Sequence, residues 1–443
     1  MTRHFSYIPE ETGPMNHAET APLHDPTLRS FVPYAEDTDF PIQNLPLGIF
    51  RPRSDTPRVG VAIGESILDL SVMARRGLIP GAPHDVFAQP SLNALAALGP
   101  AVWRMVRSRV SMLLRHDAPL LRDDLALRQA ALVPMAKATM ELPFHIPSYT
   151  DFYSSEHHAA NVGRLFRDKN NPLLPNWKHL PVGYHGRAST VVQSGHSVKR
   201  PLGQISPGPD QPPQFAPSRK LDFELEMGFF VGAGNQHGTP IPVDEAPAHI
   251  FGVVLLNDWS ARDHQSWEYV PLGPFLSKSF ATSISPWVVS LDALSPFKRQ
   301  LPTQDPKPLA YLAEKEHVGY DIQLEVILKT AKMSKGDVIC RTNMQELYWS
   351  MAQQLAHHTI NGCRMDIGDL LGTGTISGAE RQAWGSLLEL TFNGREPLQL
   401  SSGETRTFLE DGDEITMHGF CQGESFRIGL GSVSGQIMPA TAL

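Results

Sequence analysis

The stretch Lys220-Leu221-Asp222-Phe223-Glu224-Leu225-Glu226-Met227 alternates apolar and acidic residues without a break. Period-two alternation is the pattern of a half-buried β-strand. Leu221, Phe223, Leu225 and Met227 are then expected to face a core, with Asp222, Glu224 and Glu226 sharing the other side. Neighbours on one side of a strand lie about 6.5–7 Å apart. Two such carboxylates can each lean to within roughly 2.3–2.6 Å of one hard cation between them. Taken alone, the pattern favours a sheet with one solvated, charged face. Two features favour the ligand reading. No Lys or Arg stands between the three acids, and a second acidic strand end follows at Phe251-Gly-Val-Val-Leu-Leu-Asn-Asp258. That run is too apolar for an edge strand and stops on a carboxylate, which a rigid element can deliver to a metal site. Glu224, Glu226 and Asp258 are therefore candidate ligands of a hard cation.

The chain has 443 residues, enough for two or three domains. Its 38 prolines and 35 glycines follow no period, which suits a loop-rich, mainly β (α+β) architecture. A net charge of −8 with no basic block argues against nucleic acid. No apolar run approaches the ~20 residues that cross a bilayer, so no membrane span is expected. Cys340, Cys363 and Cys421 are odd in number and far apart. They form neither a disulfide framework nor a soft-metal cluster, and a reducing, cytoplasmic setting is expected. The first residues carry acids, prolines and histidines but no apolar signal core, so residues 1–29 read as a disordered leader.

Short apolar runs at 48–50, 59–63 and 66–70, punctuated by Pro and Gly, predict a small β-barrel or meander. A helical pattern runs from Leu92 to Val110 and Leu113, is broken by Pro119 and Arg122-Asp-Asp124, and resumes to about Leu132. Prolines 134, 143 and 147 place a domain boundary near 135–145. In Asp151-Phe-Tyr-Ser-Ser-Glu-His-His158, a strand end feeds a helix capped by Ser154 or Ser155. Arg262 and Gln265 fall on one face of a short helix, and Lys278 sits in a Pro- and Gly-constrained loop. Arg262 and Lys278 each follow a candidate ligand, which suggests an anion site beside the metal. Residues 343–358 read as an amphipathic helix whose terminal His357-His358 complement its dipole. Gly368–Gly378 lacks the ending of a phosphate loop and reads as a tight turn exposing backbone amides and Thr375. In 385–392 Leu388, Leu390 and Phe392 alternate with Leu387, Glu389 and Thr391, leaving Glu389 a lone acid that needs a partner.

An ordered set of motifs closely resembles the fumarylacetoacetate hydrolase family. They are Tyr149-Thr-Asp-Phe-Tyr-Ser-Ser155, Leu174-Pro-Asn-Trp-Lys-His-Leu-Pro-Val-Gly-Tyr-His-Gly-Arg187, Leu221–Met227, Asn257-Asp-Trp-Ser-Ala-Arg-Asp263, Trp267–Phe275 and Gly374-Thr-Ile-Ser-Gly378. Coverage runs from about Ser30 to the end. The resemblance implies an SH3-like amino-terminal barrel with helices over 30–140, a β-roll catalytic domain over 141–443, and a homodimer. It implies Ca2+ held by Asp151, Glu224, Glu226 and Asp258, and Mg2+ near Asp258, Lys278 and Thr282. Substrate contacts would be Tyr153, Arg167, Gln265, Tyr269 and Thr375. His158 rather than His157 would be the base, paired with Glu389, while Arg262, Gln265 and Lys278 would stabilise the departing carbanion. Ser277 and Ala281 stand where the family pattern has glycines.

The implied reaction is metal-dependent hydrolysis of the carbon–carbon bond of a β-diketo acid, fumarylacetoacetate giving fumarate and acetoacetate at the end of tyrosine and phenylalanine breakdown. A rival within the fold is an acylpyruvate hydrolase or oxaloacetate decarboxylase, but such relatives are shorter and lack the amino-terminal barrel. A rival of another class is a non-catalytic, metal-stabilised binding module. The presence of both His158 and Glu389 counts against it.

Overall fold

The computed structural model describes residues 23–52, 56–208 and 210–442. Near the amino terminus a curled antiparallel sheet runs in the order Leu132–Pro134, Ser66–Asp69, Arg58–Ile63, Leu47–Pro52, Ala138–Glu141. The helix Pro100–Leu114 packs nearby, with Pro100 at its first position, where a missing N–H costs nothing. Most of the expected leader lies outside the described residues, but its last part does not behave as one. Leu28 is buried in the amino-terminal core, and Gln43 Nε2 donates to the carbonyls of Asp25 and Leu28. The apolar Leu28 and the two carbonyl acceptors give this end something to bind.

The centre of the molecule is a seven-stranded mixed sheet. Its order is Gly183–His185, Tyr149–Phe152, Leu370–Gly372, Leu225–Val231, Ile250–Asp258, Thr282–Ile284, Val191–Gln193. A five-stranded sheet, in which Gln323–Lys329, Asp337–Asn343, Glu414–Gln422 and Arg427–Met438 are the long members, packs against one face of it. The amino-terminal part covers the other face. Alternate side chains therefore enter different cores. Val253 and Leu255 join the first, and Phe251, Val254 and Leu256 the second. This is why Phe251–Leu256 reads as a continuous apolar run rather than an alternating one.

The acidic strand is less simple than its alternation implies. Leu221, Phe223, Leu225 and Met227 do enter the core. The strand breaks, however, into Leu221–Asp222 and Leu225–Val231, and Asp222, Glu224 and Glu226 are buried as well. A half-buried strand was expected; Arg262, Lys278, Gly374 and the amides of Leu387 and Leu388 instead meet the acids on the face that would otherwise be solvated. Two further expectations change. The helix placed over 343–358 begins only at Met351, where Ser350 and Gln353 form a capping box. Leu387–Leu390 is a short helix rather than part of an alternating run. Its Ser386-Leu-Leu-Glu389 start is itself a capping-box pattern, which competes with period two over so few residues.

Candidate active site

Period two explains how the acids meet. Asp151 follows Tyr149, Glu226 precedes Gly228 and Phe230, and Asp258 follows Val254 and Leu256, each two residues apart on one strand face. Tyr149, Phe230, Val254 and Leu256 all belong to the core shared with the amino-terminal part. The apolar rows of that face thus continue into carboxylates where the strands end. Oxygens of Asp151, Glu224, Glu226 and Asp258 all lie within 4.8 Å of one another, and all four residues are buried. Gly374 N donates to Asp151 Oδ1 at 3.2 Å and to Glu226 Oε2 at 3.0 Å. Its φ of 78° is one that glycine adopts without strain. Asp258 accepts from Thr282 Oγ1 at 3.0 Å and from Tyr184 OH at 2.8 Å.

Burial raises the Asp151 carboxyl well above its usual range, and repulsion from Asp258 adds to this. Burial and the charges of Asp151, Asp258 and Glu224 do the same to Glu226, whose Oε1 has no hydrogen-bond partner among the described residues. Four convergent oxygen donors, mutual repulsion and a buried orphan oxygen fit a hard divalent cation. Glu224 behaves differently. Burial raises it, but Lys278, Arg262 and His158 together hold it below its ordinary value. Lys278 Nζ donates to Glu224 and Asp258. An ammonium has no lone pair to offer a metal, so this side chain stands beside the acids as a counter-charge.

Arg262 Nη1 donates to Glu224 Oε1 at 2.7 Å and to Gln265 Oε1 at 3.3 Å. Its Nε donates to Asp222 Oδ2 at 2.9 Å, and its Nη2 is buried without a partner among the described residues. Thr375 Oγ1 is likewise buried and unpartnered. Both atoms belong to residues singled out in the sequence as facing a substrate. Asp222 takes no part in the acid cluster. It accepts from Leu387 N at 2.8 Å and Leu388 N at 2.9 Å, tying Arg262 to the helix that carries Glu389.

The second half of the site is a histidine–glutamate pair. Ser155 caps the helix Glu156–Phe166 by accepting from His158 N. Consecutive helical residues point about 100° apart, so the two histidines diverge. His158 is buried and its Nδ1 lies 2.7 Å from Glu389 Oε2. His157 points outward, 3.5 Å from Glu346. Burial raises the Glu389 carboxyl, but His158 and hydrogen bonds from Asn161 and Ser386 overcome this and hold it low. Ser377 Oγ also donates to it, at 2.9 Å. Tyr153 stands edge-on to the His158 ring, centroids 5.2 Å apart.

The structure thus gathers Asp151, Glu224, Glu226, Asp258, Lys278, Thr282, Arg262 and Gln265 around the acids, and Tyr153, His158 and Glu389 beside them. Arg167 and Tyr269 are at the exposed rim, and Arg167 donates to the carbonyl of Pro172. Sequence reasoning missed Tyr184, Asn161, Ser377 and Ser386. Asn161 had a signal, since it lies one turn beyond His158 on the same helix face.

Comparison with known proteins places these features in context. Residues 148–438 match the model of the fumarylacetoacetate (FAA) hydrolase carboxy-terminal domain, and residues 43–143 that of the fumarylacetoacetase amino-terminal domain. The protein is thereby a hydrolase acting on carbon–carbon bonds. The chain is 56% identical over 414 residues to a fumarylacetoacetase of Bos taurus, covering 93% of this chain and 99% of that one. It is 54% identical over 417 residues to one of Arabidopsis thaliana, with the same coverage. A solved fumarylacetoacetate hydrolase from Exiguobacterium antarcticum shares the fold, with TM-score 0.50 and 16% identity, over 89% of this chain and 99% of that one. The chain belongs to the fumarylacetoacetate hydrolase family.

Proposed function

We propose that this protein hydrolyses 4-fumarylacetoacetate to fumarate and acetoacetate, the closing step of tyrosine and phenylalanine breakdown. One observation carries the reading: a buried His158–Glu389 pair adjoins the hard-oxygen cluster in a chain that matches fumarylacetoacetases along 93% of its length. Asp151, Glu224, Glu226 and Asp258 would hold Ca2+, with a Mg2+ site near Asp258, Lys278 and Thr282. Such a cation, when bound, supplies Lewis-acid polarisation of the substrate carbonyl.

His158 donates its Nδ1–H to Glu389 and takes a proton from water at Nε2, which has no protein hydrogen bond among the described residues. The hydroxide adds to the carbonyl carbon on the fumaryl side, and the adjoining carbon–carbon bond breaks. Its electron pair leaves on acetoacetate as an enolate, which takes up the proton held by His158. Arg262, through its free Nη2, Lys278 and Gln265 meet that charge as it develops, where stabilisation lowers the barrier. Tyr153, Arg167, Gln265, Tyr269 and Thr375 contact the substrate.

A division into an amino-terminal part to about residue 140 and a catalytic part after it is supported by the pairing of Ala138–Glu141 with Leu47–Pro52. We infer a homodimer, supported by the exposed apolar residues Val270, Leu272, Phe275 and Leu276 on one loop. Three unpaired cysteines support a cytoplasmic setting. Among the described residues, no helix is long and apolar enough to cross a membrane. The test is to add purified protein to fumarylacetoacetate, follow loss of its absorbance, and quantify fumarate. Turnover that vanishes with chelator and returns with Ca2+ or Mg2+ is expected. Inertness toward this substrate alongside cleavage of an acylpyruvate would overturn the reading.

A further inference from the structure

Glu389 has two oxygens, and only Oε2 faces the imidazole. Oε1 receives Asn161 Nδ2 at 2.9 Å and Ser377 Oγ at 2.9 Å. The Asn161 amide is oriented unambiguously. Its Oδ1 accepts from Arg164 Nη1 at 3.0 Å, and a guanidinium only donates while a carboxylate only accepts. His158, Asn161 and Arg164 follow at i, i+3 and i+6 along one side of the helix Glu156–Phe166. A chain of hydrogen bonds therefore runs from exposed Arg164, through Asn161 and Glu389, to the imidazole.

We propose that Asn161 is a positioning residue for the reaction: it pins the far oxygen of Glu389 and so fixes the carboxylate against His158 Nδ1, with Arg164 setting the direction of its amide. The inference rests on His158 serving as the base. A donor on Oε1 also draws negative charge away from Oε2, so the carboxylate orients the imidazole without binding its proton too tightly. Removing that donor leaves Glu389 more basic and lets it rotate about the remaining serine contacts. The other titratable groups facing the pair are Tyr153 from the preceding segment, Glu224 across the site and Cys340 from the strand Asp337–Asn343. None of them hydrogen-bonds to Glu389 among the described residues. Ser377 and Ser386 supply the other donors.

The experiment measures kcat and KM across pH for Asn161→Ala, Arg164→Ala and His158→Ala, with melting temperature and Ca2+ affinity alongside. Asn161→Ala should lower kcat roughly 10- to 100-fold, with KM and Ca2+ affinity within about threefold of the parent. The acidic limb of kcat/KM should move upward by roughly 0.5 pH unit or more, because a more basic carboxylate stabilises the imidazolium. Arg164 is exposed, so its removal leaves the fold intact and should give the same changes in weaker form, about 2- to 5-fold in kcat. It decides the matter if Asn161→Ala does not fold. A merely structural role would lower the melting temperature while leaving kcat per folded enzyme and the pH limb unmoved, and that result overturns the proposal. An active His158→Ala would instead sink the assignment of the base. An inactive His158→Ala with parental rate and pH profile in the other two variants would remove only the role given to Asn161 and Arg164.

Discussion

Replacing Gly372 by alanine probes the acid cluster without touching a ligand. Gly372 lies in the strand Leu370–Gly372, paired with Asp151 in parallel register. Its φ lies outside the left-handed range, so alanine fits the backbone. The added methyl does not fit the site. A Cβ there would stand 2.5 Å from Asp151 Oδ1 and 3.1 Å from Glu226 Oε2. An ordinary C···O contact is about 3.3 Å, so Asp151 must retreat by about 0.8 Å. That exceeds the ~0.2 Å tolerance of metal–ligand distances and the ~0.5 Å within which a functional site must be held. Asp151 has little room to move, because its own strand is buried on both sides. We expect Ca2+ affinity to fall roughly 10- to 100-fold, as when a metal site loses its supporting shell. Overpacking should cost about 1–3 kcal/mol of stability. Calorimetric Ca2+ titration gives the affinity, and kcat at saturating cation should recover to near the parental value. Unchanged Ca2+ affinity in a folded Gly372→Ala protein would mean that Asp151 and Glu226 are not ligands.

His158→Ala should cut the rate by roughly 10²–10⁴ with cation binding retained, whereas His157→Ala should stay within a few-fold, as steady-state assays will tell. Glu389→Gln should approach the His158 loss, and the double variant should fall well short of the product, since the pair acts as one unit. Chelator-treated protein should melt at progressively lower temperature as pH rises above the unfolded values of 3.8 for Asp151 and 4.5 for Glu226. In that window the native state binds more protons than the unfolded chain, so stability falls with pH; saturating Ca2+ should flatten the slope, and a slope of opposite sign contradicts the burial and repulsion that raise these carboxyls. Deleting residues 1–22 should leave melting unchanged, but Leu28→Ala should destabilise by about 2–5 kcal/mol, because Leu28 is buried in the amino-terminal core. Equal melting of the parent and Leu28→Ala would show that this contact carries no stability.

Much of the site is legible in sequence because strand geometry repeats every two residues. Glu224, Glu226 and Asp258 emerge from periodicity once the absence of a neighbouring base and the second acidic strand end are added to it. Asp151 and the choice of His158 over His157 required the family resemblance, as no local pattern separates two adjacent histidines. Other parts resist a linear reading. Asp222 belongs to the same alternation as Glu224 but serves another partner, because the strand breaks between them. Burial of the acidic face depends on Arg262, Lys278, Gly374 and the amides of Leu387 and Leu388, all distant in sequence. Ser386 meets Glu389 at capping-box spacing, but Ser377 and Asn161 reach it from two other segments, and no spacing within either announces the contact.

The Asp222 carboxylate has a consequence for anyone who redesigns this enzyme. It grips Arg262 with one hand and the amides of Leu387 and Leu388 with the other. Arg262, proposed to meet the departing charge, and Glu389, proposed to steady the base, are thus mounted on one bracket. A library that varies the two regions separately will find their effects correlated, and gains made in one will be eroded by changes in the other. Retargeting to a different leaving group calls for substitutions chosen on both sides of Asp222 together, with that residue left alone.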